Sequence, residues 1–182
     1  MQKSTASTAS KTSKAGGVDA LSILTEDHAN VKKLFKQYES VKESGSAEDK
    51  AAIAAEICSE LTAHATAEEE IFYPAVRSAI DDDELLNEAD VEHASAKELI
   101  AQISESSPED EMYDAKVKVL FEYIDHHVKE EEGEMFPKVR KAKVDLATLG
   151  AEIAARKDEL LAEMAGETVK DSAPTSRGRA KR

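Results

Sequence analysis

Four stretches of this chain carry apolar stripes at helical spacing, and each stripe is interrupted by polar residues. Apolar residues recur every three or four positions in each stretch, which is the period of an amphipathic α-helix. The four segments are approximately 20–42, 47–79, 84–104 and 109–141. The breaks between them are short, so neighbouring helices should run antiparallel. The pattern predicts an all-α, antiparallel up-down four-helix bundle.

The interruptions are a histidine in every stripe and, in two stripes, a glutamate four residues after the histidine. The inward-facing polar set is His28, His64, Glu68, His93, His127 and Glu131. Residues four apart on a helix differ by about 40° in direction, so such a pair can reach one metal ion from the same face. An unpaired carboxylate in an apolar core is strongly disfavoured. The pattern therefore predicts that something in the bundle interior compensates these groups.

The chain also contains an internal duplication. Residues 61–76 align without a gap on residues 124–139, and residues 26–34 match residues 91–99. The alignment pairs His64 with His127, Glu68 with Glu131 and Pro74 with Pro137. Each half is thus a helix with one histidine followed by a helix with His-x-x-x-Glu, which predicts pseudo-twofold symmetry. The two prolines should mark where the second and fourth helices bend or end.

Taken singly, these polar residues carry little information about function. One His-x-x-x-Glu pair is usually a solvated surface contact, and one inward histidine is usually a hydrogen-bonded core residue. All six together can be satisfied by two divalent cations about 3.5–4 Å apart. Imidazole suits iron, zinc, copper and nickel, while carboxylates bridge hard cations, so iron is the first choice and zinc or manganese remain open.

These motifs resemble the haemerythrin-like (HHE cation-binding) family over residues 20–141. The shared features are a lone histidine on the preceding helix, one HxxxE pair per half, and a proline six residues after each glutamate. The resemblance implies two irons, oxo- or hydroxo-bridged, that react with a small diatomic ligand or peroxide. It assigns His28 and His64 to one iron, His93 and His127 to the other, and Glu68 and Glu131 to bridging positions.

The sequence departs from the oxygen-carrying members at one position. Those proteins have an additional histidine in the third helix and an aspartate in the fourth, but four residues from His93 lie Ala89 and Lys97. An iron with fewer nitrogen ligands should keep an open position and a different redox balance. We therefore expect a role in oxygen, peroxide or nitric oxide response or in iron or oxygen sensing. The alternatives are a di-iron oxidase, peroxidase or ferroxidase, and a metal-free helical interaction protein.

Other polar residues near the motifs are not predicted as ligands. His126 points about 100° away from His127, which favours a supporting or surface role. For the same reason Glu69, Glu130 and Glu132 should be exposed. The four tyrosines are interpreted as packing residues.

The remaining segments complete the domain prediction. Residues 1–18 form a Ser/Thr/Ala/Lys-rich tail and residues 166–182 a basic tail, both predicted to be disordered. Residues 19–143 form the bundle. Residues 144–165 form an additional amphipathic helix without histidine, expected to pack outside the bundle and to contribute nothing to the site.

Composition limits the cellular setting. The net charge of −14 disfavours nucleic acid as a partner. No apolar run is long enough to cross a membrane or act as a signal peptide. The single cysteine, Cys58, excludes an internal disulfide and fits a reducing compartment. We expect a cytoplasmic protein, and the pattern leaves its oligomeric state open.

Overall fold

The structure, a computed structural model, describes residues 18–171, with side chains as far as residue 166. Within this range all regular structure is helical, which confirms the all-α class. The predicted disorder of residues 1–17 and 172–182 lies outside the described residues. Residues 166–171, which the sequence assigns to the basic tail, continue the last helix.

The described helices form five rods. In chain order the segments are α1 Ala20–Ser44, α2 Ala47–Ala67, π1 Glu68–Phe72, α3 Tyr73–Arg77, α4 Asp83–Ser104, α5 Tyr113–Glu130, π2 Glu131–Met135, α6 Phe136–Lys141 and α7 Leu146–Asp171. Because α2, π1 and α3 are continuous, and likewise α5, π2 and α6, these segments make four bundle helices followed by α7. The fourth bundle helix begins at Tyr113 rather than near Glu109, since residues 108–112 form turns after Ser107.

Polar side chains cap the N-termini of α1, α2 and α4. The Asp19 side chain accepts a hydrogen bond from Ser22 N–H at the start of α1. Ser46 and Asp49 form a reciprocal capping box at the start of α2, and Asp82 accepts from Leu85 N–H at the start of α4. Such caps satisfy amide groups that have no partner inside the helix.

Each inward glutamate starts a π-helical turn. The amide of Tyr73 donates to Glu68 O, and the amide of Phe136 donates to Glu131 O, so each turn contains one extra residue. A proline, which cannot donate to the preceding turn, follows at once as Pro74 or Pro137. The two helices therefore widen at these points and continue instead of ending.

The bundle core consists of two apolar clusters with a polar layer between them. The first includes Leu21, Leu24, Phe72, Val76, Met135 and Ile153. The second includes Val31, Phe35, Ile57, Leu61, Val117 and Leu120. Each fully buried side chain of this kind stabilises the fold by about 1.5–3 kcal/mol. The helices that carry the polar layer are thus held firmly on both sides of it.

The fifth rod, α7, packs on the first half of the bundle, against α1, α2 and π1. Ile153 is fully buried there as part of the first cluster. At Gly150 a Cβ atom would lie 2.5 Å from Val18 O, so glycine permits the close approach of α7 to the start of α1. Among residues 18–171, none of the helices has the length and apolar character needed to cross a bilayer.

Candidate metal centre

The structure brings all six predicted side chains together in the polar layer. Each of the six residues is at most 6% exposed. Ligand atoms lie within 4.8 Å of one another in two groups that share Glu68. The groups are His28, His64, Glu68 and Glu131, and Glu68, His93 and His127. This grouping separates the histidines into the same two pairs that the family resemblance implies.

The two glutamates each span the two histidine pairs. Glu68 Oε2 lies 3.0 Å from His64 Nε2 and 3.5 Å from His93 Nε2. Glu131 Oε2 lies 3.3 Å from His28 Nε2 and 3.7 Å from His127 Nε2. Each carboxylate therefore has one histidine from either pair beside it, which is the placement that a bridging ligand needs.

All four histidines use their outer ring nitrogen in the same way. Nδ1 of each ring donates to a carboxylate: His28 to Glu132 at 2.9 Å, His64 to Asp27 at 3.2 Å, His93 to Glu69 at 3.1 Å and His127 to Glu92 at 2.8 Å. A neutral ring that donates from Nδ1 leaves the lone pair of Nε2 facing the centre, and the carboxylate also fixes the ring orientation. The four imidazoles are thus oriented for binding through Nε2.

Sequence reasoning missed these four carboxylates. Glu132 is exposed as predicted, with 40% of its side chain accessible, yet it holds His28. The prediction of exposure was wrong for Glu69 and Glu130, whose side chains are half-buried at 32% and 27%. Asp27 and Glu92 were not considered. The duplication contained the signal, because it aligns Asp27 with Glu92 and Glu69 with Glu132.

Several buried polar atoms in the centre have no hydrogen-bond partner. These atoms are His28 Nε2, His64 Nε2, both carboxylate oxygens of Glu68, and Glu131 Oε2. The neighbouring polar atoms lie close to them but are not aligned for a hydrogen bond. Each buried polar atom without a partner lowers the free energy of unfolding by about 1–3 kcal/mol. Cations would give all of them partners at once. The residues present therefore fit a pair of metal ions.

Burial and mutual charge displace the pKa values of these groups in the metal-free protein. Burial and the neighbouring charge of Glu131 raise the pKa of Glu68. Burial also opposes ionisation of Glu131, but contact with His28 and the charge of His127 prevail and lower its pKa to about 2. Burial disfavours protonated His64, yet the charge of Glu68 and the bond to Asp27 raise its pKa to about 10. Burial and the charge of His127 lower the pKa of His93 to about 3.

A tyrosine hydroxyl also reaches the centre. Tyr73 O–H donates to Glu131 Oε1 at 3.1 Å and lies 3.3 Å from His93 Nε2. Burial and the charges of Glu68 and Glu131 raise the pKa of this hydroxyl, so it remains protonated at neutral pH in the metal-free protein. The interpretation of Tyr73 as packing alone was therefore incomplete. The duplication aligns it with Phe136, which instead stacks on His28 at 6.1 Å between ring centroids.

A small cavity of about 20 Å³ adjoins the four histidines. Its other lining residues are mainly apolar: Val31, Leu61, Ala65, Ala96, Ile100, Ile124 and Val128. Lys97 stands at its edge with 41% of its side chain exposed, and its Nζ donates to Glu69 Oε2 at 2.5 Å. A space of this size admits a molecule about as large as water.

His126 lies outside the buried cluster. Its side chain is 60% exposed, and Nε2 lies 3.4 Å from Glu92 and 3.3 Å from Glu130. This position agrees with the predicted supporting or surface role. Glu92 links it to the centre, since the same carboxylate accepts from His127.

The fifth helix also connects to the centre, so the expectation that it contributes nothing was wrong. Lys157 of α7 is 8% exposed, and its Nζ donates to Asp27 Oδ1. Asp27 is the residue that accepts from His64. A sequence signal existed, because Lys157 falls within the α7 stripe that contains Ile153 and Leu160.

Three comparisons with known proteins bear on this arrangement. A family model described as "Hemerythrin HHE cation binding domain" matches residues 19–139. The chain is 31% identical over 118 residues to a protein named DNA nickase from Nostoc sp. (strain PCC 7120 / SAG 25.82 / UTEX 2576), which covers 65% of this chain and 32% of that relative. The chain thus matches about a third of the relative's length.

The third comparison concerns the fold. A crystal structure of a hemerythrin HHE cation binding domain-containing protein from Mycobacterium kansasii superposes with a TM-score of 0.71. The match covers 89% of this chain and 95% of that protein, at 23% sequence identity. At this identity the likeness establishes the shared fold.

Proposed function

Because the chain belongs to the haemerythrin HHE cation-binding family, we propose that it binds two iron ions and uses them to respond to or sense oxygen, peroxide or nitric oxide. The observation that carries the proposal is the set of buried histidine and carboxylate atoms that lack hydrogen-bond partners. Such atoms are tolerated when cations partner them. Mixed imidazole and bridging carboxylate donors make iron the first choice, with zinc or manganese as alternatives.

The two ions would be held by the residues that the sequence predicted. His28 and His64 would hold one, His93 and His127 the other, and Glu68 and Glu131 would lie between them. Bound iron would supply redox chemistry with oxygen, peroxide or nitric oxide. The outer carboxylates keep each ring fixed with its Nε2 directed inward, so a ring that gives up its Nε2 proton needs little further reorganisation for binding.

The cavity beside the histidines supports a very small ligand. Its volume of about 20 Å³ suits a diatomic molecule or peroxide and excludes larger organic substrates. Its apolar lining favours exclusion of bulk water from the centre. Ala89 and Lys97 lie one turn before and after His93, so neither position supplies the additional histidine of the oxygen-carrying haemerythrins, and Lys97 Nζ is bound to Glu69. This arrangement favours a reactive or sensing role over oxygen carriage.

A second candidate is an oxidase, peroxidase or ferroxidase at the same centre. The Tyr73 hydroxyl favours it, because an O–H group within hydrogen-bond distance of Glu131 can deliver a proton to chemistry at the centre. Steady-state turnover with peroxide, nitric oxide or Fe(II) distinguishes an enzyme from a sensor. A sensor should bind the ligand once per centre without sustained turnover.

DNA cleavage is a further activity to test, since one relative bears the name DNA nickase. That relative is about three times as long as the matched region, and the net charge of −14 on this chain repels DNA. We keep the prediction of no nucleic acid partner. Incubation of the iron-loaded protein with supercoiled plasmid should leave the plasmid intact.

The principal test is metal content in matched variants. Protein loaded with Fe(II) under anaerobic conditions and desalted should retain two irons per chain. His64→Ala and Glu131→Ala should lose iron, whereas His126→Ala should keep it because His126 lies outside the buried cluster. Circular dichroism would verify that each variant remains helical. Wild-type protein that retains no more iron than His64→Ala would refute the proposal and favour a metal-free interaction protein.

A further inference from the structure

A buried lysine connects the fifth helix to one half of the centre. Lys157 Nζ donates to Asp27 Oδ1 and lies 3.7 Å from Glu60 Oε2. Asp27 Oδ2 in turn accepts from His64 Nδ1. Lysine is almost never fully buried unless it is paired. The contact therefore fixes the carboxylate that orients His64.

This contact belongs to a helix outside the matched family region. α7 begins at Leu146, whereas the family model ends at residue 139. One face of α7 docks on the bundle: Gly150 allows close approach to Val18, Ile153 is buried, and Arg156 Nε donates to Glu70 Oε2 at 2.7 Å. Glu70 lies in π1, the turn that Glu68 begins.

The duplicated half of the bundle provides an internal comparison. Glu92, the counterpart of Asp27, accepts from His127 at 2.8 Å. Behind Glu92 stands His126, which is 60% exposed, in place of a buried ammonium group. The counterpart of His126 in the first half is Ala63, which is fully buried. The two histidine pairs thus differ in how their supporting carboxylates are held and shielded.

We propose, resting on the proposed function, that Lys157 is a positioning residue through which α7 retains the metal ion held by His28 and His64. Docking of α7 and occupancy of that half of the centre are then one linked equilibrium. The half that contains His93 and His127 also has a lysine on a supporting carboxylate, since Lys97 Nζ donates to Glu69, which accepts from His93. Lys97 lies on the same helix as His93 and its side chain is 41% exposed, so this contact is open to solvent and the ion of this half exchanges more readily.

The physical reason is the series of contacts from Lys157 through Asp27 to His64. His64 presents Nε2 to the centre only while its ring is held by Asp27, and Asp27 is held by the ammonium group of α7. When α7 separates from the bundle, Asp27 is free to turn toward water and the ring of His64 gains freedom. Linkage is reciprocal, so a metal ion in this half also stabilises the docked position of α7.

The test is the rate at which iron leaves the loaded full-length protein. Wild type loaded with Fe(II) is mixed with a chromophoric Fe(II) chelator, and release should occur in a fast and a slow phase. Lys157→Met keeps the aliphatic stem and removes the charge, and should accelerate the slow phase by ~10–100-fold, as loss of a supporting contact typically weakens a metal site. The fast phase should not change. Lys157→Arg should restore slow release.

Lys32→Met is the matched control. Lys32 pairs with Asp125 across α1 and α5 at 2.8 Å, and Asp125 holds none of the four buried histidines. This variant should release iron in the same two phases as wild type. Equal acceleration in Lys157→Met and Lys32→Met would show a general loss of packing and overturn the proposal. Unchanged release in Lys157→Met would overturn it as well.

Hydrogen exchange of wild type gives a measurement that does not depend on a folded variant. Iron should slow amide exchange in residues 150–160 of α7 relative to the metal-free protein. Two bound irons without added protection there would refute the link between α7 and the centre, while the proposed function would stand. A wild-type protein that binds no iron would refute both.

Discussion

Removal of the metal ions should lower the thermal stability of this protein substantially. Five buried atoms of His28, His64, Glu68 and Glu131 have no hydrogen-bond partner without a cation. At about 1–3 kcal/mol for each unpartnered atom, their combined cost is comparable with the total stability of an ordinary domain. The metal-free centre is therefore the weakest part of an otherwise well-packed bundle.

The size of the effect follows from binding linkage. Each ion present at 100 times its dissociation constant stabilises the folded state by about 2.7 kcal/mol, so two ions contribute about 5 kcal/mol. For a chain of this length each kcal/mol shifts Tm by about 2–4 °C. The expected difference between the loaded and metal-free protein is thus about 10–20 °C.

The assay is thermal unfolding followed by circular dichroism, with and without a defined excess of free Fe(II) under anaerobic conditions. His126→Ala should show the wild-type shift, and Glu131→Ala should show almost none. Equal Tm values for loaded and metal-free wild type would refute the reasoning. So would a shift of the same size in Glu131→Ala.

Two further predictions concern the centre. Tyr73→Phe should leave the fold intact, because Phe136 occupies the equivalent position in the other half. The lost hydrogen bond to Glu131 should lower the free energy of unfolding by about 1 kcal/mol. A decrease above about 3 kcal/mol in chemical denaturation would contradict this reasoning. Iron binding should release a proton, because the raised pKa of His64, about 10, keeps this ring protonated at pH 7 in the metal-free protein. Affinity should therefore strengthen as pH rises above 7, and an indicator dye in weak buffer would detect the proton. Binding without proton release would contradict the assignment.

The pKa of His64 also sets how the metal-free protein responds to pH. A folded-state pKa raised above the ordinary value of 6.5 contributes stability below pH 6.5, and this contribution is lost as pH rises through about 10. Glu131 acts in the opposite direction: its lowered pKa contributes stability above pH 4.5, which is lost as pH falls through about 2.

The sequence predicted the helices and the six inward residues because both depend on local periodicity. A helix fixes the direction of every side chain relative to its neighbours, so His64 and Glu68 must share a face whatever packs against it. The duplication then indicated that the second half repeats the first. Pro74 and Pro137 indicated a local irregularity, although π-helical widening was not distinguishable from a bend.

The partners of the histidine Nδ1 atoms could not be derived from periodicity. Asp27, Glu69, Glu92 and Glu132 point away from the stripe of their own helix, and each meets a histidine only because another helix lies at a suitable height beside it. The same is true of Tyr73, whose hydroxyl reaches Glu131 across the bundle. Such contacts depend on the axial offset of neighbouring helices, which many distant side chains determine together.

What the sequence determined by itself is thus the set of groups that face the interior, since helical periodicity is a property of the chain alone. What only the tertiary structure decided is how those groups are oriented and supported. The docking of α7 on the first half shows this most clearly, because Lys157 reaches Asp27 across 130 positions of the chain. That contact exists only where packing against α1 and α2 aligns the two side chains.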